Sequence, residues 1–265
     1  MSNDLRQLSA GVTLQYVAAH VAWVTLSRPK ARNAVDDDVA LGLEQAVAIT
    51  ETDVDIWCTV LTGAGEQAFC AGADLRMIAE GEAASLSTPS GGFAGFVNQP
   101  RQKPWIAAVN GYALAGGTEI ALACDLIVAA EHAAFGLPEV QRGLVAAAGG
   151  LYRLTRAIPR ALAIELILTG EHLSAQRAQQ IGLVNHVVPM AELQARALAL
   201  AQRICANAPI AVRESLTVAR AAFDHDDRAL RQISSHAMRT VANSNDFKEG
   251  PRAFLEKRPP RWSGT

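Results

Sequence analysis

From Ala191 onward the chain offers helical patterns only, whereas the preceding residues alternate short β-rich runs with helical ones. That asymmetry constrains the fold more than any other feature, because strands that alternate with helices pack into a layered α/β core and an all-helical tail cannot add strands to it. Val12 to Val17 and Val21 to Leu26, separated by Ala-Ala-His, read as a hairpin, and Asp36 to Thr50 reads as a helix with an acidic N-terminus. Ile56 to Leu61 is a buried strand, followed by a Gly-rich turn and a short helix from Asp74 to about Glu80. Trp105 to Val109 and Asp125 to Ala130 are further strands flanking a helix of small residues at Gly116 to Ala123. Helices are expected over 149–157, 159–168 and 174–181, a last strand over 184–188, and helices near 191–206, 209–223, 227–243 and 246–256. Residues 81–104, rich in Gly, Ser and Pro, lose periodicity and read as a surface loop or lid. The expected organisation is an α/β core over 1–200 and a helical region over 201–265.

A net charge of −2 and 50% hydrophobic residues favour a globular protein over a general nucleic-acid binder, so a phosphate site has to be local. The N-terminal run Met1-Ser-Asn-Asp-Leu-Arg-Gln7 lacks an apolar signal core and a transit pattern, and no stretch reaches membrane-spanning length. The expectation is a cytoplasmic protein without a membrane partner. Cys58, Cys70, Cys124 and Cys205 are scattered through mainly apolar runs and read as reduced core residues, and no Cys/His spacing suggests a metal. Gly63-Ala-Gly65-Glu-Gln-Ala68 fits a dinucleotide fingerprint formally, but Phe-Cys-Ala-Gly follows where a helix should open.

The chemistry concentrates in Ala115-Gly-Gly-Thr-Glu119 and Phe135-Gly-Leu-Pro-Glu139. Two carboxylates can hold and move the protons of a water molecule, and amides freed at glycine-bearing turns can bind a developing oxyanion. Ala71-Gly-Ala-Asp74 repeats the arrangement of small residues opening a helix, where orphan N–H groups favour an anion. Each feature has an ordinary structural reading: a tight turn, a helix-capping glutamate, an acid in the first turn of a short helix. Their combination points to water chemistry beside an activated carbonyl.

These segments, with Arg28-Pro-Lys-Ala-Arg-Asn-Ala34, Ala68-Phe-Cys-Ala-Gly-Ala-Asp-Leu75, Ala108-Val-Asn-Gly-Tyr-Ala-Leu-Ala-Gly-Gly-Thr-Glu119 and Glu249-Gly-Pro-Arg-Ala-Phe-Leu-Glu-Lys-Arg258, resemble the crotonase superfamily, and within it the enoyl-CoA hydratases. The resemblance runs over nearly the whole chain. It implies an α/β spiral of repeated ββα units with a C-terminal helical trimerisation region, assembled as a homotrimer or homohexamer. It also implies Glu119 and Glu139 as the acid/base pair and the amides of Ala73 and Gly116 as the oxyanion hole. Ala31, Arg32, Ala34, Ala71, Asp74 and Leu75 would line the coenzyme A path, with Phe254 and Lys257 near the adenine end. The implied reaction is syn hydration of a 2-enoyl-CoA, with coenzyme A arriving as part of the substrate and no separate cofactor or metal. Other crotonase reactions, such as isomerisation or dehydration of a special acyl-CoA, and a non-catalytic acyl-CoA or RNA binder are the alternatives. Arg28, Lys30, Arg32, Lys257 and Arg258 are the candidate phosphate partners. Leu144-Val-Ala-Ala-Ala-Gly149-Gly150, and Gln141-Arg142 after the second glutamate, depart from the commonest hydratase pattern.

Overall fold

Short apolar runs build the large sheet. The computed structural model describes residues 4–265, so Met1, Ser2 and Asn3 of the N-terminal run read above lie outside the described residues. The chain opens with β1 (Arg6–Ser9), β2 (Val12–Ala18) and β3 (Val21–Leu26), an antiparallel meander, and then α1 (Asp37–Thr52). Asp36 caps α1, its side chain accepting the Val39 N–H at 2.9 Å. There follow β4 (Cys58–Gly63), β5 (Ala68–Cys70), α2 (Leu75–Ala79), β6 (Ser87–Thr88), β7 (Gly92–Phe93), β8 (Trp105–Val109), β9 (Tyr112–Leu114) and α3 (Gly116–Ala123). Next come β10 (Leu126–Ala130), β11 (Ala134–Gly136), α4 (Gly150–Ala157), α5 (Arg160–Thr169), β12 (Leu173–Ser174), α6 (Ala175–Gln180) and β13 (His186–Val188). The chain finishes with α7 (Leu193–Cys205), α8 (Pro209–Ala221), α9 (Asp227–Ala242) and α10 (Asn245–Leu255).

The seven-stranded sheet has the order β1-β2-β3-β4-β8-β10-β13, parallel from β3 onward, and a four-stranded sheet has the order β12-β11-β9-β5. Both faces of the parallel strands are buried, which is why their sequences are continuously apolar. Cys58, Val60, Ile106, Ala108, Val128 and Ala130 pack on Leu193, Ala197 and Ala201 of α7. The alternate residues Leu61, Trp105, Ala107, Val109, Ile127 and Ala129 join the main core with Phe69, Ile120 and Phe135.

The repeating unit is visible in the connections. Each of β4, β8 and β10 passes through a short turn into a strand of the small sheet, β5, β9 or β11, and then into a helix. This is the spiral of ββα units expected from the resemblance. Gly63 to Ala68 leads into strand β5 rather than a helix, so the dinucleotide reading has no structural support. Within the C-terminal helices, Arg220 of α8 pairs with Asp125 through Nε and Nη2 at 2.8 and 2.7 Å, and Asp125 Oδ2 also accepts the Trp105 N–H at 2.8 Å. That network docks α8 onto the junction of α3 and β10.

One expectation is corrected. Residues 81–104 do not form a surface loop: Leu86, Ala94, Phe96 and Val97 are buried, and β6 pairs with β7 in a small hairpin. Phe96 lies edge-on to Trp105 with ring centroids 5.0 Å apart, and the Arg101 guanidinium lies 4.0 Å from the Phe96 ring centroid. The segment turns inward through left-handed residues at Gly92, Ala94 and Gly95, which place apolar side chains on the core without any regular period.

Candidate active site

Three neighbouring strands of the small sheet deliver the reactive groups. β5 leads through Ala71 to Asp74 into α2, β9 leads through Ala115 into α3, and β11 leads through Leu137 into a 3-10 turn, Pro138–Arg142. β9 lies between β5 and β11, with Cys70 paired to Ala113 and Gly136 to Leu114. Groups far apart in sequence are thereby brought to one end of one sheet.

Both bends direct an N–H away from the regular ladder. Val35 donates to Gly72 O and accepts from the Asp74 N–H, each at 2.8 Å, and this parallel bridge leaves the intervening Ala73 N–H on the opposite side. Gly116 is the first residue of α3, where an N–H has no intrahelical acceptor. Ala115 before it has φ 52° and ψ −127°, a backbone conformation that costs a non-glycine residue about 1–3 kcal/mol. The Ala115 N–H is anchored to Gly136 O at 2.9 Å. Thr118 braces the same junction: its hydroxyl lies 2.6 Å from Ala113 O and accepts the Gly136 N–H at 3.0 Å. Gly117 has to be glycine, since a Cβ there would stand 1.9 Å from Cys70 O.

Ala73, Gly116, Glu119 and Glu139 all line one cavity of about 1340 Å³, together with Ala31, Arg32, Ala34, Ala71, Asp74 and Leu75. Phe93, Val97, Leu86, Leu144, Val145 and Ala148 complete its apolar wall. Sequence reading missed Phe93 and Val97, because the segment carrying them has no period. Phe254 and Lys257 lie outside this cavity, and Phe254 is 83% exposed near the end of α10. The structure of one chain therefore does not bring these two residues to the others.

Glu119 is 3% exposed and Glu139 9%. Burial pushes Glu119 up to about 7; the Gly150 N–H, donated to Oε1 at 2.8 Å, acts in the opposite direction, and the Glu139 carboxylate adds to the rise. The Ala148 N–H and the Arg153 cation also favour its ionised form. Burial raises Glu139 too, opposed by its own N–H and by Arg142. Glu139 Oε2 is buried with no protein hydrogen-bond partner. The pair thus combines one carboxyl held by backbone donors with another whose Oε2 is buried without a protein partner.

Asp74 serves a different purpose. It caps α2, accepting the Arg76 N–H at 3.2 Å, and is bound by the Arg76 and Arg28 guanidinium groups, which hold it near 2 despite burial. Arg28 also pairs with Asp36 at 2.8 Å and donates to Ala34 O at 2.6 Å. Arg28 is therefore committed to shaping the 28–36 loop, and Arg258 is similarly bound by Glu249 and Glu256. Lys30 and Arg32 are exposed at the cavity and make no ion pair among the described residues. Cys70 is fully buried, and burial pushes its thiol up to about 12, which fits core packing rather than a nucleophile.

Two bend amides flanked by two buried carboxyls on a ββα spiral define a class. Residues 17–265 match the enoyl-CoA hydratase/isomerase family; the chain belongs to that family, within the crotonase superfamily, and is an enzyme of the hydro-lyase class. It is similar to the carnitinyl-CoA dehydratase of Salmonella typhi, 42% identical over 91% of this chain and 94% of that protein. Among solved structures, it resembles an enoyl-CoA hydratase from Mycobacterium tuberculosis H37Rv with 44% identity and a TM-score of 0.92, covering 96% of this chain and 99% of that one. A carnitinyl-CoA hydratase from Mycobacterium avium has 45% identity, the same coverage and a TM-score of 0.75. No helix among the described residues is long and apolar enough to cross a membrane.

Proposed function

We propose that this enzyme adds water reversibly across the 2,3 double bond of a 2-enoyl-CoA. The observation that carries the reading is the convergence of two unshared bend amides, Ala73 and Gly116, with the buried pair Glu119 and Glu139 on one cavity. The amides would receive the thioester oxygen, drawing electron density from the conjugated double bond and stabilising the enolate, an effect worth about 2.7–4 kcal/mol per donor. Glu119, fixed by Gly150, would orient the attacking water through its second oxygen. Glu139 would take a proton from that water as its oxygen bonds to Cβ, and return a proton to Cα on the same face. Hydroxyl and hydrogen are thus added syn, with no net proton change.

The coenzyme would enter over Ala31, Arg32, Ala34, Ala71, Asp74 and Leu75, as part of the substrate rather than as a resident cofactor. Lys30 and Arg32 are the cations best placed to meet its phosphates, since their side chains are not committed to ion pairs. Phe254 and Lys257 would act at the adenine end only from a neighbouring subunit, and residues 201–265 would form the assembly region of a homotrimer or homohexamer over the core of 1–200. A cytoplasmic setting fits this chemistry.

The relatives named for carnitinyl-CoA support a second reading, in which the same groups run the reaction toward dehydration of a 3-hydroxyacyl-CoA of that kind. Loss of the conjugated enoyl-thioester absorbance across short, long, branched and cationic 2-enoyl-CoAs tests hydration, and its appearance from the corresponding 3-hydroxyacyl-CoAs tests dehydration. Inert 2-enoyl-CoAs alongside an isomerised 3-enoyl-CoA would refute hydration.

A further inference from the structure

We infer that Arg153 is a positioning residue for this reaction, locking the acyl wall, the 148–150 turn and Glu119 into one rigid unit. The inference rests on the hydration reading above. Arg153 lies in the first turn of α4, and its side chain folds back across Gly149 instead of extending into solvent. Gly149 has φ 111°, which favours glycine, and a Cβ there would stand 2.1 Å from Arg153 Nη1 and displace the guanidinium from this position. From there Nη1 donates to Ala148 O at 3.0 Å and Nη2 to Val97 O at 2.6 Å.

Those two carbonyls belong to different walls of the cavity. Val97 and Ala148 both line it, and they come from segments some fifty residues apart, 81–104 and the loop before α4. The turn that Arg153 grips also supplies the donors to the first glutamate: Gly150 N–H reaches Glu119 Oε1 at 2.8 Å, and the Ala148 N–H faces the same carboxyl. Val97 is anchored on its other side, because Arg101 donates to the neighbouring Phe96 O at 2.6 Å and to Ala123 O, at the end of α3, at 2.6 Å. Two arginines thus tie the acyl wall to both the helix that bears Glu119 and the turn that holds Glu119 in place. A guanidinium suits this task because its planar fork serves two acceptors at once, which an ammonium on a flexible stem does not.

The charged groups facing Glu119 are Glu139, which opposes its ionisation, and Arg153, which favours it. Removing the Arg153 charge should therefore move the acidic fall in rate to higher pH. A residue that served only to hold the fold would lower thermal stability without moving that limb.

The test uses the full-length enzyme with but-2-enoyl-CoA, following kcat and KM across pH, with butanoyl-CoA as a non-reacting ligand. Arg153→Met is expected to lower kcat by about 10²-fold, the scale of an ångström-level misplacement, with butanoyl-CoA affinity little changed and the acid limb shifted upward. Arg153→Lys keeps the charge and should leave the limb in place while kcat falls less. Wild-type kcat and limb in Arg153→Met would overturn the inference. If that variant does not fold, wild-type kcat in Arg153→Lys would overturn it equally. A wild-type enzyme inert on every 2-enoyl-CoA would instead remove the hydration reading on which the inference stands.

Discussion

Glu119 accepts the Gly150 N–H at 2.8 Å across a gap of 31 residues, so the first turn of α4 fixes a carboxyl that belongs to α3. One oxygen of Glu119 is occupied by this bond, and its orientation is set before any ligand arrives. Glu139, whose Oε2 has no protein partner, is not restrained in this way. In the proposed reaction that difference would divide orientation of water from proton transfer.

Replacing either carboxyl by its amide should separate binding from turnover. Glu139→Gln and Glu119→Gln are each expected to reduce kcat by about 10²–10⁴-fold, with acyl-CoA affinity nearly unchanged by isothermal titration. Unaltered turnover in Glu139→Gln would remove that residue from the mechanism.

The rate should fall as pH drops through about 7, because Glu119 is raised to that range and in the proposed reaction its ionised form would orient water. Below that pH the carboxyl takes up a proton, and the group becomes a donor where an acceptor is needed. A pH profile of kcat with its acid limb near 4.5, the ordinary carboxyl range, would contradict this assignment.

Thr118→Val keeps side-chain volume but leaves the buried Gly136 N–H without its hydroxyl acceptor. A loss of about 1–3 kcal/mol in chemical denaturation is expected. Activity should fall beyond the change in stability, since the β9–β11 junction positions both Gly116 and Glu139.

Gly117→Ala forces a methyl group onto Cys70 O, where no flexible side chain can yield. The expected cost is about 1–3 kcal/mol from overpacking, together with a lower kcat, because α3 must shift and carries the Gly116 amide with it. Equal kcat and melting temperature in this variant would show that the helix has more freedom than its contacts imply.

Asp74 is held near 2 in the folded chain, below its ordinary value of 3.8, so its ion pairs contribute stability above about pH 4 and lose it as pH falls toward 2. Asp74→Asn should remove this part of the acid sensitivity while lowering stability at neutral pH. An unchanged denaturation profile between pH 4 and 2 would refute the linkage.

The larger elements were legible because their signals are long. Gly116 to Ala123 was read as a helix and is one, and Asp36, read as the start of the first long helix, proves to be the N-cap of α1. β5, β9 and β11 were not legible as strands, since three residues are too few to show a period, and they pair across large sequence separations. Yet they are what gathers the site. The glycine-bearing bends at Gly72 and Gly116 were visible as turns opening helices, and the burial of Glu119 and Glu139 followed from the apolar residues around them. Gly150 and Arg153 were not singled out, because a backbone donor and an arginine folding back over a glycine leave only a Gly-Gly pair as their trace. Arg28 and Arg258, read as phosphate candidates, are instead consumed by acidic neighbours that a linear reading does not bring near them.

The candidate reacting groups leave three adjoining strands, whereas the apolar wall comes from residues 86–97 and 144–148, which Arg153 ties back to Glu119 through Val97 O, Ala148 O and the turn bearing Gly150. A mutational library confined to those stretches should therefore retain activity only where it spares the Val97 and Ala148 carbonyls and the donors to Glu119.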